Sequence, residues 1–160
     1  MANLVRLCII LAAGWLALMF GLTGIWLGSA ASVASGCLWL AGREARRDES
    51  AVAGLVVFTA LAVTGLFWDL PGWAMLFGVI GVLAAWDLQL FEARLAYAGR
   101  IESRTSLIRV HLQRLTIIVI LSLVLGGLGL GIDLRLNLLA AVGLGSLAVL
   151  LLARILRQYR

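Results

Sequence analysis

Lysine is absent from this chain of 160 residues, because all 13 basic residues are arginine. No retinal or pyridoxal Schiff base can therefore form on it, and a Walker-type phosphate loop is excluded. With a single proline and no low-complexity tract, the chain also excludes collagen-like and disordered structure. Charge is scarce as well, at 13% of residues, whereas soluble domains carry about 25%.

Cysteine and histidine are too few to predict redox or metal chemistry. Cys8 and Cys37 both fall within apolar runs and form no CxxC pair. His111 is the single histidine, so a haem would need its second ligand from another subunit. We therefore expect no cofactor and no metal, and we expect His111 to be hydrogen-bonded at the membrane boundary. The chain contains no GxSxG, HExxH or phosphate-loop motif that would predict catalysis.

Hydrophobic residues make up 63% of the chain, and its mean hydropathy is +1.08. This composition is typical of a polytopic integral membrane protein. The stretch from Leu7 to Gly42 has no charge, and it is too long for one span but long enough for two. We predict an all-α bundle, a single domain over residues 1–160, with about six short transmembrane helices in three hairpins. The predicted spans are 4–21, 24–42, 51–68, 72–91, 115–132 and 136–154, with a cytoplasmic loop at about 92–114.

The turns between the paired spans carry different residues. The first is the short GLTG (21–24), so a re-entrant first hairpin remains an alternative. In the second, Pro71 and Gly72 end one helix and start the next, and Trp68 and Trp73 are typical of an interfacial aromatic belt. The third turn is GIDLRLN (131–137), and the likeness between the hairpins is too slight to indicate an internal repeat.

The arginines predict the orientation. With both termini cytoplasmic, twelve arginines lie on the inner side and only Arg135 lies outside. Reading the first 42 residues as one span, or cleaving Met1–Gly36 as a signal peptide, would reverse this distribution, so we expect neither. The net charge is +5, and the arginines that give this charge flank apolar spans. This position indicates contact with anionic lipid headgroups rather than with nucleic acid.

Four polar residues near the inner boundary are candidate functional residues: Asp87, Glu92, Arg94 and His111. Asp87 lies about 22 Å from the outer turn at 1.5 Å per residue, close to the inner boundary. An intramembrane carboxylate indicates function by default. At this depth we favour a boundary anchor paired to a nearby arginine such as Arg94, with a proton, ion or substrate role as the alternative.

The segment around GRIESRTS (99–106) is predicted to be a loop between two helical extensions. Ser103 or Thr105 is the expected cap of the second extension. An arginine-rich helix there could contact a membrane surface or an acidic partner, although a solvated segment that follows the charge rule is the simpler interpretation.

Small residues recur at helical spacing in several spans. The predicted packing positions are Gly28, Ser32, Gly36, Gly78, Gly81, Gly126 and Gly127. Small residues let helix backbones approach closely in lipid. We favour packing within this chain, and docking onto another subunit is the alternative.

The central thirds of the six predicted spans contain no Asp, Glu, Arg or His, which disfavours ion-coupled transport. We therefore expect a non-catalytic accessory or scaffold subunit that packs against other membrane subunits or against itself. One alternative is a small transporter or channel acting as a homo-oligomer, which a water-filled cavity reaching Asp87 would favour. Another is a membrane-embedded enzyme acting on lipid, which convergence of the four candidate residues in one pocket would favour.

Overall fold

The computed structural model describes residues 1–45, 49–97 and 104–131, and nearly all of them are helical. The five helices are α1 (Ala2–Leu22), α2 (Trp26–Glu44), α3 (Glu49–Phe67), α4 (Gly72–Tyr97) and α5 (Arg104–Gly131). Four of them, α1, α3, α4 and α5, are long and apolar enough to cross a bilayer. The all-α class is therefore confirmed, and the four apolar helices fit an integral membrane protein, whereas the count of six spans is not matched.

Two of the predicted spans account for the difference in count. The first 45 residues do fold as two helices, but α2 is less apolar than the other four because glycine, serine and alanine make up much of it. The structure does not describe the predicted span 136–154. It also does not describe the turn before it (131–137, with Arg135), apart from residue 131.

The predicted loop at 92–114 is largely helical. Helix α4 continues beyond 91 to Tyr97, and α5 begins at Arg104, so helical extensions flank the short connection. Ser103, one of the two expected caps, lies outside the described residues, and Thr105 lies within α5.

The helices α1 and α3 end in the same way. The Ile25 N–H donates to the Phe20 carbonyl at 2.9 Å across a residue with positive φ, Gly24 (φ 79°). Asp69 (φ 57°) has the equivalent position after α3, where the Leu70 N–H donates to the Gly65 carbonyl at 3.1 Å. These Schellman motifs use the left-handed backbone that glycine adopts freely and that aspartate tolerates. The end of the bundle that contains both turns also exposes Trp26, Trp68 and Trp73, and we call it the tryptophan end.

The first four helices form a ring in chain order, in which α1 and α3 each pack against both α2 and α4. The core is apolar, and its largest fully buried side chains are Phe20, Phe58, Ile9, Leu16, Leu88, Val5 and Val82. Ser32 is the one buried polar side chain in the described part of the chain, and its hydroxyl donates to the Gly28 carbonyl at 2.8 Å. The centre of this ring therefore offers no polar path.

Small residues line the contacts of α1 with its two neighbours. On α2, a Cβ at Gly28 would lie 2.5 Å from Phe20 Cδ1, and one at Gly36 would lie 2.7 Å from the Ala13 Cβ. On α4, Gly78 and Gly81 approach α1 in the same manner. The backbones can come this close only because these positions lack a side chain.

The glycines of α5 differ from one another. A Cβ at Gly126 would lie 2.6 Å from Leu76 Cδ2 on α4, so Gly126 faces that helix. A Cβ at Gly127 would meet no atom within 4 Å in the described structure. Helix α5 therefore has one side against α4 and another that no described residue contacts at Gly127.

Candidate functional site

The ends of the helices opposite the tryptophan end carry most of the charged residues of the described segments, and we call this the arginine-rich end. Arg43 at the end of α2 pairs with Glu92 on α4 at 2.7 Å, with only 12% and 31% of the two side chains exposed. Arg6 at the start of α1 pairs with Glu44 at 3.0 Å, but there 48% and 63% are exposed. Because the first pair is shielded from water, its contribution to stability should be the larger.

A hydrogen-bonded chain of three side chains joins α2, α3 and α4 just inside this end. The Trp39 indole N–H donates to Gln89 Oε1 at 2.8 Å, and Gln89 Nε2 donates to Ser50 Oγ at 3.2 Å. This network was not predicted from the sequence, although an amide within an otherwise apolar span is a signal that could have found it.

Asp87 and His111 meet between α4 and α5. Asp87 Oδ2 lies 2.9 Å from His111 Nε2, a close contact that does not meet the geometry of a well-formed hydrogen bond. Phe91 stacks on the imidazole with ring centroids 3.8 Å apart and planes 6° apart. Asp87 and Phe91, which lie one turn apart on α4, therefore both contact the imidazole.

A cleft of about 320 Å³ runs between α4 and α5 from this contact. Asp87, His111 and Arg114 lie at its polar end, which is at the arginine-rich end of the two helices. Its walls are otherwise apolar apart from Trp86 and Ser122, and they are formed by Ile80, Leu83, Ala84, Leu115, Ile118 and Val119. The Trp86 indole N–H is buried and has no hydrogen-bond partner among the described residues.

The four candidate functional residues do not form one cluster. The structure brings together Asp87 and His111, whereas Glu92 pairs with Arg43 on α2. Arg94 is exposed and makes no ion pair within the described segments, so the partner of Asp87 there is a histidine rather than the expected arginine. Arg114, which lines the cleft, was not among the candidates.

The described lining of the cleft does not pair a nucleophile with a base. Its one hydroxyl among the described residues, on Ser122, lies eleven residues from His111, or about 16 Å along α5. A nucleophile and its base need hydrogen-bond reach of about 3 Å. No protein-family model, curated protein or solved structure matches this chain, so its function has to be argued from the geometry.

The two ion pairs at the arginine-rich end provide a matched test. Glu92→Gln should lower the free energy of unfolding by about 1–3 kcal/mol, because it leaves the largely buried Arg43 guanidinium without its counter-charge. Glu44→Gln removes an exposed pair and should change it by less than about 1 kcal/mol. Thermal unfolding in a mild detergent would compare them, and equal losses would contradict the difference in shielding.

Proposed function

We propose that this protein is a non-catalytic integral membrane subunit that packs, as an accessory or scaffold, against a larger membrane complex. The observation that carries this proposal is the coverage of α5. Among the described residues, none of the apolar stretch of α5 is buried, whereas a third of the corresponding stretch is buried in each of α1, α3 and α4. A helix that the described part of the chain covers so little has surface available for helices beyond α1–α4, including those of another protein.

The use of the polar side chains also supports a structural role. Arg6, Arg43 and Gln89 each bind a residue on a different helix, so they stabilise the bundle rather than surround a reaction centre. The ring of α1–α4 has a dry core whose one polar group, among the described residues, is satisfied by its own helix. These features favour a rigid scaffold.

The proposed topology has six spans and cytoplasmic termini. Residues 136–154 would form the sixth span, and α2 would cross despite its lower hydropathy because α1 shields its small-residue face. The arginine-rich end would then lie on the inner side, in contact with anionic headgroups, and the tryptophan end would lie on the outer side. We propose no nucleic-acid partner.

One observation favours a second candidate function, a small transporter or channel acting as a homo-oligomer. The cleft between α4 and α5 reaches Asp87, and a second copy could close it into a path. Asp87→Asn separates the two functions: a scaffold loses stability or assembly, whereas a transporter loses flux while it remains folded. The lipid enzyme has less support, because only Asp87 and His111 of its four proposed residues meet.

Native mass spectrometry of protein extracted gently from its own membranes tests the scaffold proposal. We expect the chain to leave with other subunits in fixed stoichiometry. Gly127→Leu should release them, since the open space beside Gly127 is the proposed contact, and Gly14→Leu is the matched control on α1, also with nothing within 4 Å. Extraction of the wild type alone or only as a homodimer would refute the scaffold function. An unfolded Gly127→Leu variant would refute the proposed contact.

A further inference from the structure

The cleft between α4 and α5 has the shape and polarity of a site for an amphiphile. It extends about 10 Å along α4, from Ile80 to Asp87, and about 16 Å along α5, from His111 to Ser122. Its volume of about 320 Å³ lies in the range of pockets that hold small organic ligands. Charged groups occur at one end only, so a ligand with one charged group and one hydrocarbon chain matches its lining.

The two residues Asp87 and Arg114 at the polar end of the cleft differ in whether they have a partner. Asp87 has His111 at 2.9 Å, whereas Arg114 makes no ion pair with any residue in the described segments. A guanidinium presents donors in a fork that fits two phosphate oxygens, and such charge-assisted bonds are among the strongest in proteins. The charge complementarity of this end is therefore with an anion at Arg114.

The depth of Arg114 identifies where that anion comes from. The residue lies in the first half of α5, about 15 Å from its start at the arginine-rich end, and its long side chain can extend toward the headgroup layer. A phospholipid phosphate occurs at this level around every membrane protein, with acyl chains beside it. A protein partner would instead need an acidic residue placed at one particular depth.

We propose that the cleft binds one anionic phospholipid, with its phosphate on Arg114 and an acyl chain between α4 and α5. The walls formed by Leu83, Ala84 and Ile118 contact the chain, and the unpaired Trp86 N–H lies in the same cleft. This site goes beyond the proposed scaffold function, because it requires no partner subunit and would be present in the isolated chain.

The test uses purified, delipidated protein in detergent, titrated with phosphatidylglycerol or with phosphatidylcholine of the same acyl chains. Native mass spectrometry should show one phosphatidylglycerol retained more tightly than phosphatidylcholine, because the choline cation offsets the charge of the phosphate that Arg114 would bind. Arg114→Gln should weaken phosphatidylglycerol binding about tenfold, because one charged hydrogen-bonding group is lost. Arg109→Gln, on the same helix but outside the cleft lining, is the matched control and should weaken it less than about twofold.

A second variant tests the chain-binding part of the cleft. Ala84→Phe fills the space beside α5 and should abolish retention of phosphatidylglycerol while the helical circular dichroism stays that of the wild type. Equal binding by the wild type and Arg114→Gln would overturn the proposal. So would equal losses in Arg114→Gln and Arg109→Gln, or undiminished retention of phosphatidylglycerol by a folded Ala84→Phe variant. Because the isolated chain is used, failure here leaves the scaffold function untouched.

Discussion

Replacing Gly54 by alanine should lower the free energy of unfolding by about 3 kcal/mol, although a single methyl group is added. A Cβ at this position on α3 would lie 2.3 Å from Trp39 Cδ2, with two further ring atoms within 2.7 Å. The Trp39 ring is buried, and its N–H is bonded to Gln89, so it cannot move aside without losing that bond. Helices α2 and α3 must therefore separate.

The control for Gly54→Ala is Gly14→Ala on α1, where a Cβ meets no atom within 4 Å. That variant should leave stability unchanged or raise it slightly, since alanine favours helix more than glycine does. Unfolding in detergent by added sodium dodecyl sulfate, followed by circular dichroism, would compare the two. A similar result for both positions would show that the close approach of α2 and α3 is not required.

Phe20→Ala should be the most destabilising truncation, at about 3–5 kcal/mol. Phe20 is fully buried at the end of α1, packs against the backbone of α2 at Gly28, and makes an edge contact with Trp68 at 6.3 Å. In a membrane the loss comes mainly from van der Waals contacts, because lipid is as apolar as the core. The same unfolding assay would measure it.

A double-mutant cycle checks the cause of that loss. Gly28→Val should be strongly destabilising in the wild type, because its Cβ would lie 2.5 Å from the Phe20 ring. In the Phe20→Ala background the ring is gone, so the added side chain should occupy the vacated space. The two changes should then be less than additive by at least about 1 kcal/mol. If the losses of the two single variants simply add in the double variant, the loss in Phe20→Ala comes from contacts other than the one with α2.

Helix locations were predictable because composition and periodicity act locally. The break at GLTG, the start of α4 after Pro71 and the helical extensions around residues 98–103 all follow from turn residues and apolar run length. The spacing of Gly28, Ser32 and Gly36 also predicted one face of α2, which the structure packs on α1.

Contacts between helices were much less predictable, because spacing along one helix does not identify its neighbour. Asp87 and Arg94 share a face of α4, yet Asp87 meets His111 on α5 and Glu92 meets Arg43 on α2. Ser50 and Gly54 stand four residues apart in α3, but this spacing does not identify Trp39 as the neighbour, so that contact was not predicted. The count of six spans is not matched by the described residues for a related reason: α2 is a helix of small residues that other helices cover, and such a helix need not be strongly apolar.

The 19 residues of α2 and of α3 give each helix a length of about 28 Å, slightly less than the hydrocarbon thickness of a typical bilayer, about 30 Å. These two helices are adjacent in the ring, and both are shorter than α4, which has 26 residues. In the proposed topology, in which α2 crosses the bilayer, the membrane beside α2 and α3 therefore meets the shorter helices. A short side is accommodated by local thinning of the bilayer, at a fraction of a kcal/mol per Å of mismatch. The protein should therefore deform the membrane unevenly around itself and accumulate where the bilayer is thin.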